Sequence, residues 1–377
     1  MKIGISRGAM KILCIIDNLG SGGAQRQLVY LGRELKKRGN VVDFFVYHAG
    51  GFFRPALDEL GIKVHQINKH YKIDPSPFFK LYRLCNRSYD VALAFLVMPS
   101  LYAELARFLK VNHRIPLIVS ERSLSIGISS FWGQILRQAH RFATAVVTNS
   151  NTQTLWLSKN FPYLRTRLHV IYNGVDLEHF QPSPDRTFMP SFSCRLLGVG
   201  RISRAKNIPN LIKALSICTQ QHATDVHVSW VGKVESTKEM ELVRGVLKEH
   251  QFSNRWTWLG ERRDIAELMN NSDALILPSL WEGLPNVICE AMACGLPVLS
   301  SSVSDLSNII EDGVQGFLFD PNNPQQIAQA IWRFVNLNES QRYAMGLAGR
   351  RFAEKELGLG HFVDQYEKLL FSVINTH

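Results

Sequence analysis

Two α/β domains, each a parallel sheet covered by helices on both faces, are what this sequence predicts, and three observations carry the prediction. Short apolar strands alternate with helix-length stretches from residue 12 onward. The alternation breaks once, at a polar segment holding Pro182, Pro184 and Pro190, and then restarts. The chain has 377 residues, 46% of them hydrophobic, a length that favours two cores over one.

The elements follow in order. Ile12 to Ile16 is an apolar strand, and Asp17 to Gly23 is a polar, glycine-rich loop. Ala24 to Gly39 reads as a helix with Leu28, Leu31 and Leu35 on one side. Lys36, Lys37 and Arg38 suit the negative end of its dipole. Further strands are expected at Val41 to Tyr47, Val64 to Ile67, Val91 to Phe95, Leu117 to Ser120 and Ala145 to Asn149. After the turn Asn173-Gly174-Val175-Asp176 and the proline-rich linker, a strand is expected at Arg195 to Val199 and a helix from Pro209 to Cys218. Strands at Val226 to Val231, Trp256 to Leu259, Ala274 to Leu277, Pro297 to Ser300 and Gly316 to Phe319 continue the pattern, with helices at Ile265 to Asn270 and Asn286 to Cys294. The tail from Gln341 is helical. These readings place a first domain at 1–178, a second at 179–355, and a last helix at 356–377 expected to return to the first domain. A ligand is expected in the cleft that two such domains form.

Composition narrows the class. Six cysteines lack metal-ligand spacing and read as buried thiols in a reduced compartment. The first eleven residues hold Lys2, Arg7 and Lys11 without an apolar run long enough to export or span, so a cytoplasmic chain is expected. Residues 1–178 contain 24 Lys or Arg against 11 Asp or Glu, while 179–377 contain 19 against 21. The positive first half points to an anionic partner. No aromatic-basic module or zinc-finger spacing supports nucleic acid.

The sharpest segment runs from Leu277 to Val298. It begins at a strand's carboxyl end, turns through Gly283 and Pro285, and enters a helix. There Gly283, Leu284, Pro285, Asn286 and Val287 form a candidate phosphate-binding turn, because a helix start offers amide N–H groups and a positive dipole end. Glu282 precedes the turn and Glu290 lies one turn into the helix; carboxylates are strong acceptors for sugar and ribose hydroxyls. A second segment, Gly198-Val199-Gly200-Arg201-Ile202-Ser203-Arg204-Ala205-Lys206-Asn207, ends a strand in glycines and sets Arg201 and Lys206 before a helix. Fixed cations suit a departing diphosphate. In the first domain, Gly20-Ser21-Gly22-Gly23-Ala24-Gln25-Arg26 lets the backbone approach a ligand, yet it is not a clean dinucleotide fingerprint.

With these residues in view, the sequence resembles the retaining glycosyltransferases of the glycosyltransferase 4 / group 1 family, in its branch for bacterial surface glycans. The resemblance implies the GT-B fold of two Rossmann-like domains facing a cleft. It also implies that Glu282 contacts the transferred sugar, Glu290 binds the nucleotide ribose, and Arg201 and Lys206 hold the diphosphate without a metal. By the same resemblance Gly22 and Gly23 face the donor, and the loop with Arg262 embraces the nucleotide base. The substrate is then a nucleotide diphosphate sugar, UDP-linked by expectation, with no cofactor and no metal. A hexosyl or N-acetylhexosaminyl group would pass, with retention, to a hydroxyl of a growing, lipid-linked surface glycan.

One departure stands out: many relatives carry a His after the first domain's fourth strand, where this chain reads Ala94-Phe95-Leu96-Val97-Met98-Pro99-Ser100. His113 and His140 do not fill that place and read as surface or packing residues. Glu121 and Arg122, after the strand ending at Ser120, are candidates for the acceptor side, with a salt-bridge role as the alternative. Two basic amphipathic stretches, Tyr71 to Arg87 and Ile128 to Arg141, suggest contact with an anionic membrane on the inner face. In the first, Lys72, Lys80, Arg83 and Arg87 are the cations and Phe78 the expected apolar anchor. A GT-B sugar-nucleotide epimerase and a catalytically silent glycan-binding or scaffold relative remain the alternatives.

Overall fold

A computed structural model of the chain describes residues 8–69, 74–85, 89–109, 115–122, 131–190 and 193–376. Tyr71, Lys72, Arg87, His113 and Ile128 lie outside the described residues, as do the side chains of Phe131 and Trp132. The chain forms two compact units. One comprises Met1–Asn173 with Gly360–His377, the other Gly174–Leu359.

The first unit is built on β1 (Lys11–Ile15), β2 (Val41–Val46), β3 (Lys63–Gln66), β4 (Val91–Phe95), β5 (Leu117–Glu121), β6 (Ala145–Thr148) and β7 (Leu168–Val170). They lie in the order β3-β2-β1-β4-β5-β6-β7 with every pairing parallel. Ile12 to Ile15 and the whole of β4 are buried, as strands covered on both faces require. Helices α1 (Gly23–Lys37), α2 (Arg54–Asp58), α3 (Ser76–Leu84), α4 (Val97–Phe108), α5 (Phe131–Arg137) and α6 (Asn151–Asn160) lie between the strands. The strand order reverses between β1 and β4, so the loops leaving those two strands flank the switch point where such sheets receive ligands.

In the second unit β8 (Ser193–Val199), β9 (Asp225–Val231), β10 (Trp256–Gly260), β11 (Ala274–Leu277), β12 (Val298–Ser301) and β13 (Gly316–Phe319) form a second parallel sheet, in the order β10-β9-β8-β11-β12-β13. Its helices are α7 (Ile208–His222), α8 (Thr237–Glu249), α9 (Ile265–Asn270), α10 (Asn286–Ala293), α11 (Leu306–Ile309), α12 (Pro324–Val335) and α13 (Glu339–Phe352). Here the reversal falls between β8 and β11, whose outgoing loops hold the two most informative sequence segments. After a π-helical turn at Ala353–Leu357 comes α14 (Leu359–Asn375), which from Gly360 onward is part of the first unit.

Several boundaries move from those expected. The second unit starts at Gly174 rather than after 178, because Val175 donates to the Leu357 carbonyl at 2.8 Å and accepts from the Leu359 amide at 2.9 Å. Helix α7 runs on to His222, four residues past Cys218. All six cysteines are buried and free, and burial pushes the Cys218 and Cys294 thiols up to about 12.

Candidate active site

The second unit's site starts with close backbone approach. A Cβ on Gly198 would stand 2.2 Å from the Trp230 ring, and one on Gly232 would stand 2.1 Å from the Gly200 carbonyl oxygen. Glycine is therefore required at both positions. The Trp230 indole donates to that same Gly200 oxygen at 2.9 Å, which fixes the end of β8 against the end of β9. From there the chain passes through a short 3-10 turn, Arg204–Lys206, to Asn207 at φ +53°. Asn tolerates this left-handed conformation better than most residues. Its side-chain amide donates to the Pro278 carbonyl at 3.1 Å and the Pro321 carbonyl at 2.7 Å, and the Leu280 amide donates to the Ala205 carbonyl at 2.9 Å. Three loops at the carboxyl edge of the sheet are thereby joined.

That joining brings two residues separated by 76 positions into contact. Lys206 Nζ donates to Glu282 Oε1 at 2.5 Å, each side chain 16% exposed. A cation and a carboxylate held this closely are charge-assisted partners, and the ammonium has two further protons for an anion. Arg201 stands apart and exposed, its guanidinium donating to Glu235 at 2.9 Å. Helix α10 opens with Pro285 as its cap residue, no side-chain cap and no acidic residue in its first turn. No acid of its own first turn therefore offsets the positive end of its dipole. Gly283, Leu284, Pro285 and Val287 are buried, Asn286 is half-buried, and Glu290 lies buried on the helix. Arg262 is exposed and pairs with its neighbour Asp264.

In the first unit Gly22 caps α1 and Gly23 is its first residue. Gln25 folds back over this turn and donates to Asp17 at 2.9 Å; a Cβ on Gly22 would meet the Gln25 amide oxygen at 2.2 Å. Glu121 and Arg122 have opposite fates. Glu121 is buried, accepting from Arg137 at 3.0 Å and from His140 Nε2 at 3.0 Å. The ion-pair alternative therefore describes it. Of its two readings, surface or packing, His140 takes the second: its other ring nitrogen reaches Glu104 at 2.6 Å, and the ring is fully enclosed. Burial favours the neutral imidazole, but Glu104 and Glu121 outweigh it and push the His140 pKa up to about 10. Burial likewise pushes Glu104 up, against the pull of His140, whereas His140 and Arg137 overcome burial and hold Glu121 low. Arg122, also buried, has both terminal nitrogens without a hydrogen-bond partner among the described residues and lies over the Phe95 ring, 4.6 Å from its centroid.

The segment after β4, which lacks the His that many relatives carry there, begins with Leu96 at φ +75° and continues into α4. Phe78 also departs from expectation. It is half-buried against the first unit's core, and Phe79 beside it faces solvent. Sequence alone did not single out Glu235 or Gly232 and gave Asn207 no role of its own; a glycine directly after an apolar strand was the available signal for Gly232.

The family described as "Glycosyl transferases group 1" matches residues 193–336, and "Glycosyltransferase Family 4" matches 21–179. Spore coat protein SA of Bacillus subtilis is 28% identical over 233 residues, 56% of this chain, which spans only 61% of that protein. A Campylobacter jejuni enzyme is 24% identical over 97% of this chain and 100% of its own length. Its name is GalNAc-alpha-(1->4)-GalNAc-alpha-(1->3)-diNAcBac-PP-undecaprenol alpha-1,4-N-acetyl-D-galactosaminyltransferase. Among solved structures, HepE of Anabaena in complex with UDP and glucose superposes with a TM-score of 0.83 at 23% identity, covering 96% of this chain and 100% of HepE.

Proposed function

We propose that this chain, of GT-B fold and related to the group 1 and family 4 glycosyltransferases, transfers a hexosyl or N-acetylhexosaminyl group from a UDP-sugar to a hydroxyl of a growing glycan. The observation that carries the reading is the Lys206–Glu282 pair beside the amino end of α10. It sets a cation for a departing diphosphate next to a carboxylate for sugar hydroxyls, in the turn that leads into a helix whose own first turn carries no acid.

The chemistry follows from these groups. Negative charge grows on the β-phosphate oxygen as the glycosidic bond breaks, and Lys206 with Arg201 stabilises it; interactions that strengthen in this way raise turnover rather than ground-state affinity. Arg201 reaches the phosphate by leaving Glu235, an exposed partner whose hold is weak. Glu290 accepts from a ribose hydroxyl and Glu282 from the transferred sugar. The acceptor hydroxyl attacks from the face the phosphate leaves, its proton passing to the departing oxygen, so configuration is retained. We assign no metal to this step. On the first unit, Arg122 is the acceptor-side candidate with unused hydrogen-bonding capacity, in keeping with a phosphate-bearing, lipid-linked acceptor.

The test is calorimetric titration of the full chain with UDP, then mass analysis of products from a panel of UDP-sugars and extracted lipid-linked glycans. Mass gain on the glycan by one sugar residue is expected. Release of free altered sugar with no acceptor product would instead establish an epimerase, and absent nucleotide binding would sink the reading. Activity abolished by a chelator and restored only by a divalent ion would overturn the metal-free assignment.

A further inference from the structure

Helix α4 is turned inside out relative to an ordinary surface helix. Its two charged residues point inward: Glu104 is fully buried against His140, and Arg107 donates to the Ile115 carbonyl at 3.1 Å and the Phe142 carbonyl at 2.7 Å. Its solvent side is apolar, with Met98 40%, Leu105 38%, Phe108 47% and Leu109 beyond its end 55% exposed. These positions share one face at helical spacing. The helix packs against α3, which exposes Phe79 at 57%, and against α5, which exposes Ile135 at 43%. Lys80 and Arg83 of α3 and Arg141 of the 3-10 turn Gln138–Phe142 are exposed on the same helices. The only acidic residue within α3, α4, α5 and that turn is the buried Glu104.

Exposed apolar groups on adjoining helices, with cations and no exposed acid on those helices, are a poor surface to leave in water and a good match to a bilayer with acidic headgroups. We propose that the α3–α4–α5 face of the first unit docks on an anionic lipid surface, with Phe79, Leu105, Phe108 and Leu109 entering the headgroup boundary and Lys80, Arg83 and Arg141 contacting acidic headgroups. The Glu104–His140 pair makes this possible, because it keeps the helix's one carboxylate out of the lipid-facing side. Among the described residues no helix is long and apolar enough to cross a membrane, so the attachment is interfacial. The excess of cations in residues 1–178 adds a longer-range attraction of the same sign.

Co-sedimentation of the full chain with vesicles of phosphatidylcholine alone, and of phosphatidylcholine mixed with phosphatidylglycerol, tests this without donor or acceptor, so its outcome is separate from that of the transferase reading. Binding to the mixed vesicles, weakened by added salt, is expected. The Phe108→Ser/Leu109→Ser variant should lower the partition coefficient about tenfold or more. Lys80→Gln/Arg83→Gln should lower it about fivefold per cation on acidic vesicles and leave neutral ones unchanged. Leu155→Ser, on α6 and 69% exposed, is the control and should change nothing. All these side chains are at the surface, and circular dichroism with a melting curve confirms that each variant is folded. Equal partition on both vesicle types, no partition at all, or full binding by both double variants would overturn the proposal. So would a wild-type oligomer that the Phe108→Ser/Leu109→Ser variant converts to monomer while vesicle binding persists, which would make this a self-association face.

Discussion

Lys206 is the residue whose neighbours decide most. Its pairing with Glu282 depends on loops stitched by Asn207, so the pair is preorganised before any ligand arrives. Lys206→Ala should lower the single-turnover rate about a hundredfold or more at saturating donor and acceptor, with little loss of stability. A retained rate would remove Lys206 from the mechanism. Glu290→Ala should weaken UDP binding by about 1.5–3 kcal/mol, since a ribose hydroxyl loses a charged acceptor; calorimetry reads this directly. Glu235→Gln should act in the opposite direction. Freed from an exposed ion pair, Arg201 becomes available to the diphosphate, and UDP affinity should rise by up to about fivefold. An unchanged or lower affinity would separate Arg201 from the diphosphate. Arg201, Lys206, Glu282 and Glu290 could be singled out as candidates in the sequence because the first three lie in the loops that follow two apolar strands and the fourth on the helix after the second loop. Glu235 was not, because it lies 34 residues from Arg201 and only the pairing of β8 with β9 brings the two loops together.

At the scale of elements, the strands were legible for a plain reason: a sheet covered on both faces needs unbroken apolar runs, and Val91 to Phe95 or Ala274 to Leu277 have no other use. What the pattern hid was α4, whose apolar solvent face reads like a core stripe, and the buried ionic cluster beneath it. Glu104 of α4, Glu121 of β5, Arg137 of α5 and His140 of the following turn converge with no local sequence signal, His140 being 36 and 19 residues from its two carboxylates. Removing one member leaves a buried charge uncompensated, so His140→Ala should cost about 3–5 kcal/mol in denaturant unfolding. The cluster also sets a pH dependence. The folded-state pKa of His140 is raised to about 10 from the ordinary imidazole value of about 6.5, so its contribution is fully present below about 6.5 and is lost as pH rises towards 10. Glu121 is held low, so its contribution is present above the ordinary carboxylate range and is lost as pH falls through its lowered value. Wild type should therefore lose stability towards pH 10 more steeply than His140→Ala. Parallel stability curves between pH 6.5 and 10 would contradict a charged, buried His140.

For the whole molecule, the C-terminal helix is the test of how the chain divides. Amphipathic spacing showed that the tail is helical and names a face but not its partner, so the expected return to the first domain needed the structure to show which side chains it buries there. In the structure Phe362, Val363, Tyr366, Leu369, Leu370 and Val373 are buried within the first unit. The Tyr366 hydroxyl lies 3.3 Å from Ser120, and Arg38 pairs with Asp364 and Glu367 at 2.7 and 2.9 Å. Exposing six such side chains removes on the order of 10 kcal/mol of burial, at about 1.5–3 kcal/mol each, which is comparable with the entire stability of a typical domain. Truncation after Leu359 should therefore unfold the first unit and spare the second. Hydrogen exchange followed by mass spectrometry distinguishes the outcomes: amides of β1, β4 and β5 should lose protection, while those of β8, β9 and β11 keep it. UDP should still raise the melting temperature of the truncated chain, because its proposed contacts on α10 and the β8 loop belong to the surviving unit and ligand binding stabilises whatever fold holds the site. Protection lost evenly across both sheets would mean that the two units fold as one cooperative body, and a first unit unaffected by the deletion would mean that α14 caps its sheet without holding it together.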